Sequence, residues 1–457
     1  MTAVPFAVIV GFRQRLDRAP NPSSVPAGRS LRERLRTRPR SLNEEMPGPA
    51  ALAPFRIRSF RFQWPADLLI SWAFEMEMLI LGWYVLVETG SVLLLTLYAS
   101  LLYVGTLVAP MFGVIGDRVG QRTVLFGTRA AYMTLAAIIT ALAFTGSLTP
   151  LYVFIAAACT GIVRPSDIGV RSALVGATMP PEYLIGAMSI SRMTADSARI
   201  MGALAGAGLF VAFGMGPAYV AITCFYAAGA LLLLGAGPEF AQPSADGATR
   251  PSPWRDLTAG IGYIWNTPRL LAAMWIAFLV NLCAFPLVTG LLPHVAKNVY
   301  GTDQTGLGYL VATLAFGALT GSVALSVAGE RMRVERVMVA SISAWYAMLL
   351  VFGQVQNMTV GLACLFFIGV TQSVSMVTLA VILLRTAEPR YRGRVMGVRM
   401  LAIYGNPMGL LAAGVLIERV GYAATALLYG SVGLVFMLII ILRWRSAVLP
   451  TAESAKV

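Results

Sequence analysis

Apolar stretches of about 20 residues, each long enough to cross a hydrocarbon core of ~30 Å as a helix, recur along the chain from residue 64 to residue 443. Twelve can be counted, at 64–87, 92–115, 122–145, 149–176, 184–212, 216–236, 269–292, 305–328, 335–354, 357–384, 395–417 and 421–443. Composition agrees: the 457 residues are 57% hydrophobic and only 12% charged, which excludes an ordinary soluble domain. Lipid offers the backbone no hydrogen bonds, so spans of this length have to be helices. The expected class is an all-α membrane protein.

The net charge of +14 does not call for nucleic acid, because the arginines lie on one side of the spans. Arg118, Arg122 and Arg129 follow span two, Arg250, Arg255 and Arg269 flank span seven, Arg331, Arg333 and Arg336 follow span eight, and Arg385, Arg390, Arg392 and Arg394 follow span ten. The opposite loops carry little beyond Lys297 and Arg419. The positive-inside rule then places both termini in the cytoplasm, in what is expected to be a bacterial inner membrane. Cys159, Cys224, Cys283 and Cys364 fall inside apolar spans without paired spacing and read as small buried hydrophobes; His294, at the outer end of span seven, reads as an interfacial polar residue. No cofactor, metal or enzyme motif is expected. Lys297 and Lys456, the two lysines, are not preceded by glycine, so there is no Walker loop.

Residues 1–63, with "LRERLRTRPRSLNEEM" and several prolines, read as a disordered cytoplasmic tail that could touch anionic lipid; alternatively, translation begins at Met46. The spans divide into 64–236 and 269–443, joined by a linker at 237–268 whose "WRDLTAGIGYIWNTP" suggests a short interfacial helix, and 444–457 form a second tail. The halves echo each other. "GDRVGQRTVL" at 116–125 follows span two and "GERMRVERVM" at 329–338 follows span eight, while "MGALAG" at 201–206 in span five matches "MGLLAAG" at 408–414 in span eleven.

"GVIGDRVGQRTVL", Gly113 to Leu125, resembles the signature loop of the major facilitator superfamily. "GWYVLVETGS" at 82–91, "GIGYIWNTPRL" at 260–270 and "RGRVMGVRML" at 392–401 are similar to its drug and siderophore exporter branch, which includes enterobactin-exporter-like proteins. The resemblance implies twelve helices in two pseudo-symmetric six-helix bundles around a central cavity, working by alternating access. The chain departs from that branch where Gly202 is followed by Ala203 rather than proline, and where Arg164 is followed by "PSDIG" rather than a glutamine-glycine motif. Within the loop, Gly113 and Gly116 permit close helix approach, Asp117 suits a helix N-terminus, and Gly120 completes the pattern. Arg118 and Arg122 are expected to anchor the loop to headgroups or carboxylates.

Glu75 and Glu77 sit in "LLISWAFEMEMLILGWYVLV", where charge is expensive. A helix turns ~100° per residue, so they point about 200° apart. Ser71, Leu79, Gly82, Leu86 and Thr89 share the Glu75 sector, with Asp67 at its edge; Ile70, Ala73, Ile80, Leu81 and Tyr84 surround Glu77. This spacing predicts Glu75, with Ser71, in the central cavity as a proton-exchanging group, and Glu77 at a helix contact.

Two further spans carry charge trios, Arg164, Asp167 and Arg171 in span four and Arg192, Asp196 and Arg199 in span five. If both helices turn near residue 180, Arg164 lies level with Asp196 and Asp167 with Arg192, which predicts crossed ion pairs. Trp72, Asn281, Gln372, Tyr404 and Asn406 are further candidates for the cavity wall. The expectation is a monomeric, proton-coupled antiporter that exports a hydrophobic or amphipathic small molecule, the lipid bilayer being its other partner. Import of a metabolite by symport, or a sensor or scaffold of the same fold, is the alternative.

Overall fold

The computed structural model describes residues 50–107, 119–236, 253–328 and 333–445. Gly113, Gly116, Asp117 and Arg118 lie outside the described residues, as do residues 1–49. The first half contributes α1 (Arg58–Thr89), α2 (Val92–Leu101), α3 (Gln121–Phe144), α4 (Pro150–Thr178), α5 (Pro181–Phe213) and α6 (Met215–Leu233). A connecting helix, Pro253–Trp265, leads to the second half. That half contains α7 (Pro268–Cys283), α8 (Gln304–Ala328), α9 (Val334–Phe352), α10 (Met358–Thr386), α11 (Pro389–Val420, including helices Arg392–Ala402 and Gly405–Val420) and α12 (Tyr422–Arg443).

Ten of the described helices are long and apolar enough to cross a membrane. Two more segments complete the twelve: α2, whose described part stops short of the expected 92–115, and α7, which meets the connecting helix at 111°. Proline sets that bend, since Pro268 starts α7 and disfavours helical geometry in the residue before it. Beyond Cys283 the chain continues in short helical pieces, Phe285–Thr289 and Leu292–His294, broken where Gly290 falls between Pro286 and Pro293.

The segment expected as a disordered tail needs correcting over residues 50–63. Ala50–Arg56 form a 3-10 helix and α1 starts at Arg58. Phe55 meets Phe60 and Trp64 edge to face, and Phe60 packs with Val175, Met179 and Ala187 at the α4–α5 turn. The aromatic residues were spaced too irregularly to give a periodic signal.

Packing repeats between the halves. α1 lies against α5 and α6, as α7 lies against α11 and α12; α3 packs on α4 and α6, as α9 packs on α10 and α12. The two bundles meet through α2 on α11 and α5 on α8, pairs that exchange when each number is shifted by six. Small residues form these contacts. Gly308 faces Ala207, Gly414 faces Thr96, and Gly290 faces Ala99 and Leu410. Ser91 Oγ donates to Glu418 at 2.8 Å, linking the start of α2 to the end of α11 on the side remote from the arginine-rich loops.

The internal repeat has a physical function. Gly202 of α5 presses on α1, where an added Cβ would lie 2.8 Å from Glu75 Cβ and 3.2 Å from the Trp72 carbonyl. Its counterpart Gly409 of α11 presses on the Leu282 carbonyl at the end of α7. Gly409→Ala is therefore expected to destabilise the protein by about 1–3 kcal/mol through overpacking against backbone. Gly208→Ala, with nothing within 4 Å of the added carbon, serves as the neutral or slightly stabilising control. Thermal unfolding in one detergent compares them, and equal melting temperatures would refute the close-approach argument.

Candidate functional site

Between the bundles lies a cavity of about 190 Å³. From the first bundle its wall takes Glu75, Met78, Leu79 and Gly82 of α1, Leu95 and Tyr98 of α2, Arg164 of α4 and Arg199 of α5. The second bundle contributes Phe285, Val288, Leu307, Val311, Gln372 and Leu410 among others, none of them charged. Glu75, Leu79 and Gly82 reach one wall because their spacing of four and three keeps them on one helix face. Gly82 widens it by leaving space in front of Pro293, Tyr98 and Leu95.

Glu75 also belongs to a polar stripe of Asp67, Ser71 and Glu75, one helical turn apart, and each of the three meets an arginine from a different helix. Arg129 of α3, with no solvent exposure, pairs with Asp67; its Nη1 donates to the Gly229 carbonyl at 3.3 Å. Its Nε lies 3.8 Å from Asp167 Oδ1, and neither of these two atoms has a hydrogen-bond partner among the described residues. Arg171 Nη1 donates to Ser71 Oγ at 3.4 Å. Arg199 Nε stands 3.7 Å from Glu75 Oε1, an ion pair too long for a hydrogen bond. Arg164 has no carboxylate at ion-pair distance among the described residues; its guanidinium lies over the Phe74 ring, 3.7 Å from the centroid. Glu77, on the opposite face, accepts a hydrogen bond from Tyr226 of α6 at 2.6 Å.

Sequence comparison agrees with this architecture. The family model described as Major Facilitator Superfamily matches residues 64–402 and 297–456. The chain belongs to the major facilitator superfamily. No curated relative matches it. Solved structures share the fold at low identity. A nucleoside transporter, NupG, is 13% identical with a TM-score of 0.65, covering 86% of this chain and 100% of its own. The D-xylose-proton symporter is 11% identical with a TM-score of 0.65, covering 83% and 96%. The human organic anion transporter MFSD10 is 16% identical with a TM-score of 0.60, covering 85% and 99%. Membership of this superfamily points to a membrane transporter.

In this superfamily member the expected charge network is rearranged. The crossed pairs of α4 and α5 do not form: Arg192 pairs with Asp196 within α5 at 3.2 Å, its side chain 76% exposed, Arg164 turns to Phe74, and Asp167 faces Arg129. The reason is packing. α1 touches both α4 and α5, so Arg164, Arg171 and Arg199 face α1, while Asp167 turns to Arg129 of α3 and Asp196 to Arg192 of its own helix. Arg129 is not a loop arginine but the centre of a buried cluster, and its position inside span three, opposite an aspartate in span one, was the overlooked signal.

Of the other candidates, Gln372 lines the cavity, while Ser71 is engaged by Arg171. The cavity wall does not include Trp72, which packs on Phe225, or Asn281, which donates to Ala277 of its own helix. Nor does it include Tyr404, which donates to the Val104 carbonyl at 3.4 Å, or Asn406, which is buried. In the signature loop, Gly120 has φ 90, a left-handed backbone that explains glycine there. Arg122 donates to the Leu234 carbonyl past the end of α6, where a cation suits the helix terminus.

Removing Arg129 leaves two buried carboxylates facing one another. Arg129→Gln is expected to cost about 3–5 kcal/mol, whereas Arg192→Gln, at an exposed pair within one helix, should change stability by no more than a few tenths. Melting temperatures of the two purified variants check this, and similar values would count against a structural role for the cluster.

Proposed function

We propose that the protein is a proton-coupled secondary transporter that carries an amphipathic small molecule through the central cavity by alternating access, with Glu75 as the proton-carrying group. One observation carries the reading: a carboxylate that is 9% exposed lies on the wall between the bundles, beside Arg199 but not hydrogen-bonded to it. A carboxylate held loosely in this way can change partners as the bundles rock, while Glu77, fastened to Tyr226, remains a structural contact. The wall suits an amphipathic cargo, being mostly apolar with its charged groups gathered on one side.

The same reading takes the monomer as the working unit and the arginine-rich loops and both termini as cytoplasmic, in a bacterial inner membrane. The signature loop, with Gly113, Gly116, Asp117 and Arg118, acts as a gate on that side. Efflux of a drug or siderophore by antiport draws support from the sequence resemblance at 82–91, 260–270 and 392–401. Uptake by symport is favoured by a specific observation, the two arginines beside the proton-carrying group, and by neighbours such as the D-xylose-proton symporter.

Proteoliposomes holding a luminal pH dye test the coupling against a panel of aromatic amines, catecholate siderophores and small organic acids. At least one compound should drive proton movement through the wild type. Glu75→Gln should abolish that movement and Glu77→Gln should reduce it less; the sign of the luminal change distinguishes symport from antiport. Equal proton movement through Glu75→Gln would sink the assignment.

A further inference from the structure

The charges on the cavity wall do not balance. Arg164 and Arg199 face Glu75 alone, and the second bundle adds no charge to the wall. Arg164 is half-buried and the Arg199 side chain is 44% exposed, so water screens part of their charge, yet an anion placed between them still gains two opposite charges. Among the described residues Arg164 has only the Phe74 ring beneath it, and Arg199 holds its carboxylate at 3.7 Å. Each therefore keeps donors free for a further acceptor, since a guanidinium carries five N–H groups. Across from them, Phe285, Val288, Leu307 and Val311 form an apolar surface.

We propose that the cavity binds amphipathic anions, with the anionic head between Arg164 and Arg199 and the apolar body on the second bundle. This rests on the carrier reading above and names the charge of its cargo. The anion competes with Glu75 for Arg199. Besides Arg199, the charged or titratable groups near Glu75 among the described residues are Arg164 of α4, Arg171 of α4 one turn away on Ser71, Tyr98 of α2 and Tyr103 just past the end of α2. With Arg171 engaged by Ser71 and both cavity arginines holding the anion, a displaced Glu75 carboxylate is left without a cation of its own. It takes up a proton instead. Anion and proton accordingly enter the cavity together, and a cargo of this class moves with protons, not against them.

Three probes that share one body and differ in charge test the idea: 4-phenylbutyrate, 4-phenylbutanol and 4-phenylbutylamine. Binding is measured by thermal shift of the full chain in lipid nanodiscs, together with proton uptake in weakly buffered solution containing an indicator dye. The butyrate should bind at least about tenfold more tightly than the alcohol, and the amine more weakly than either. Arg164→Gln and Arg199→Gln should each remove most of that preference. Arg164→Lys and Arg199→Lys, which keep the charge, should restore part of it and guard against a folding defect. Glu75→Gln should bind the butyrate without proton uptake.

Equal binding of all three probes, tighter binding of the amine, or no binding of the butyrate overturns the proposal. So does butyrate binding to the wild type with no proton uptake. Preference for the amine leaves the carrier reading intact; that reading fails separately if Glu75→Gln proteoliposomes move protons as the wild type does.

Discussion

A charge that cannot reach water has to find its opposite inside the protein, and Arg129 finds two. Asp67 and Asp167 come from α1 and α4, and the arginine from α3, so this single side chain ties three helices together without solvent. The tie also sets the rotation of α1 about its own axis. Once Asp67 faces Arg129, Ser71 and Glu75 follow at successive turns, and Glu77 is turned away to Tyr226. The cavity position of Glu75 is thus a geometric result of an ion pair two turns away.

Close backbone approach supplies the remaining constraint. Gly202 brings α5 against α1 so tightly that Arg199, one turn earlier, cannot avoid Glu75. Gly409 plays the matching part between α11 and α7, yet that half has no equivalent of the polar stripe among the described residues. Its comparable link between first and third helices is Arg269 with Glu335, at the helix ends and partly exposed. The halves share a packing scheme and differ in where their charge is buried.

The succession of spans is legible because apolar length against the bilayer is a strong signal, although α1 starts at Arg58 rather than 64 and α7 ends at Cys283 rather than 292, and the helix faces of Glu75 and Glu77 can be separated because periodicity is a local property. The ion pairs were not legible. Pairing Arg164 with Asp196 requires helices consecutive in sequence to lie side by side, but α1 touches both α4 and α5 and takes Arg164, Arg171 and Arg199 onto its own face. Arg129 was grouped with the loop arginines because a rule about sidedness counts charge near a span end and is blind to depth. Trp72, Asn281, Tyr404 and Asn406 were chosen by polarity alone, and polarity does not say which neighbour a side chain will meet.

The uneven distribution of charge around the cavity bears on how the two bundles can move. Glu75, Arg164 and Arg199 all belong to the first bundle, and the wall opposite offers apolar contact and the uncharged Thr289 and Gln372. A molecule held by its polar end would stay moored to the first bundle throughout a cycle, while the second slid across its greasy side. Such a sliding door has no ion pair to break on its own face, so the friction of each stroke would depend on the contour of the cargo and not on its charge.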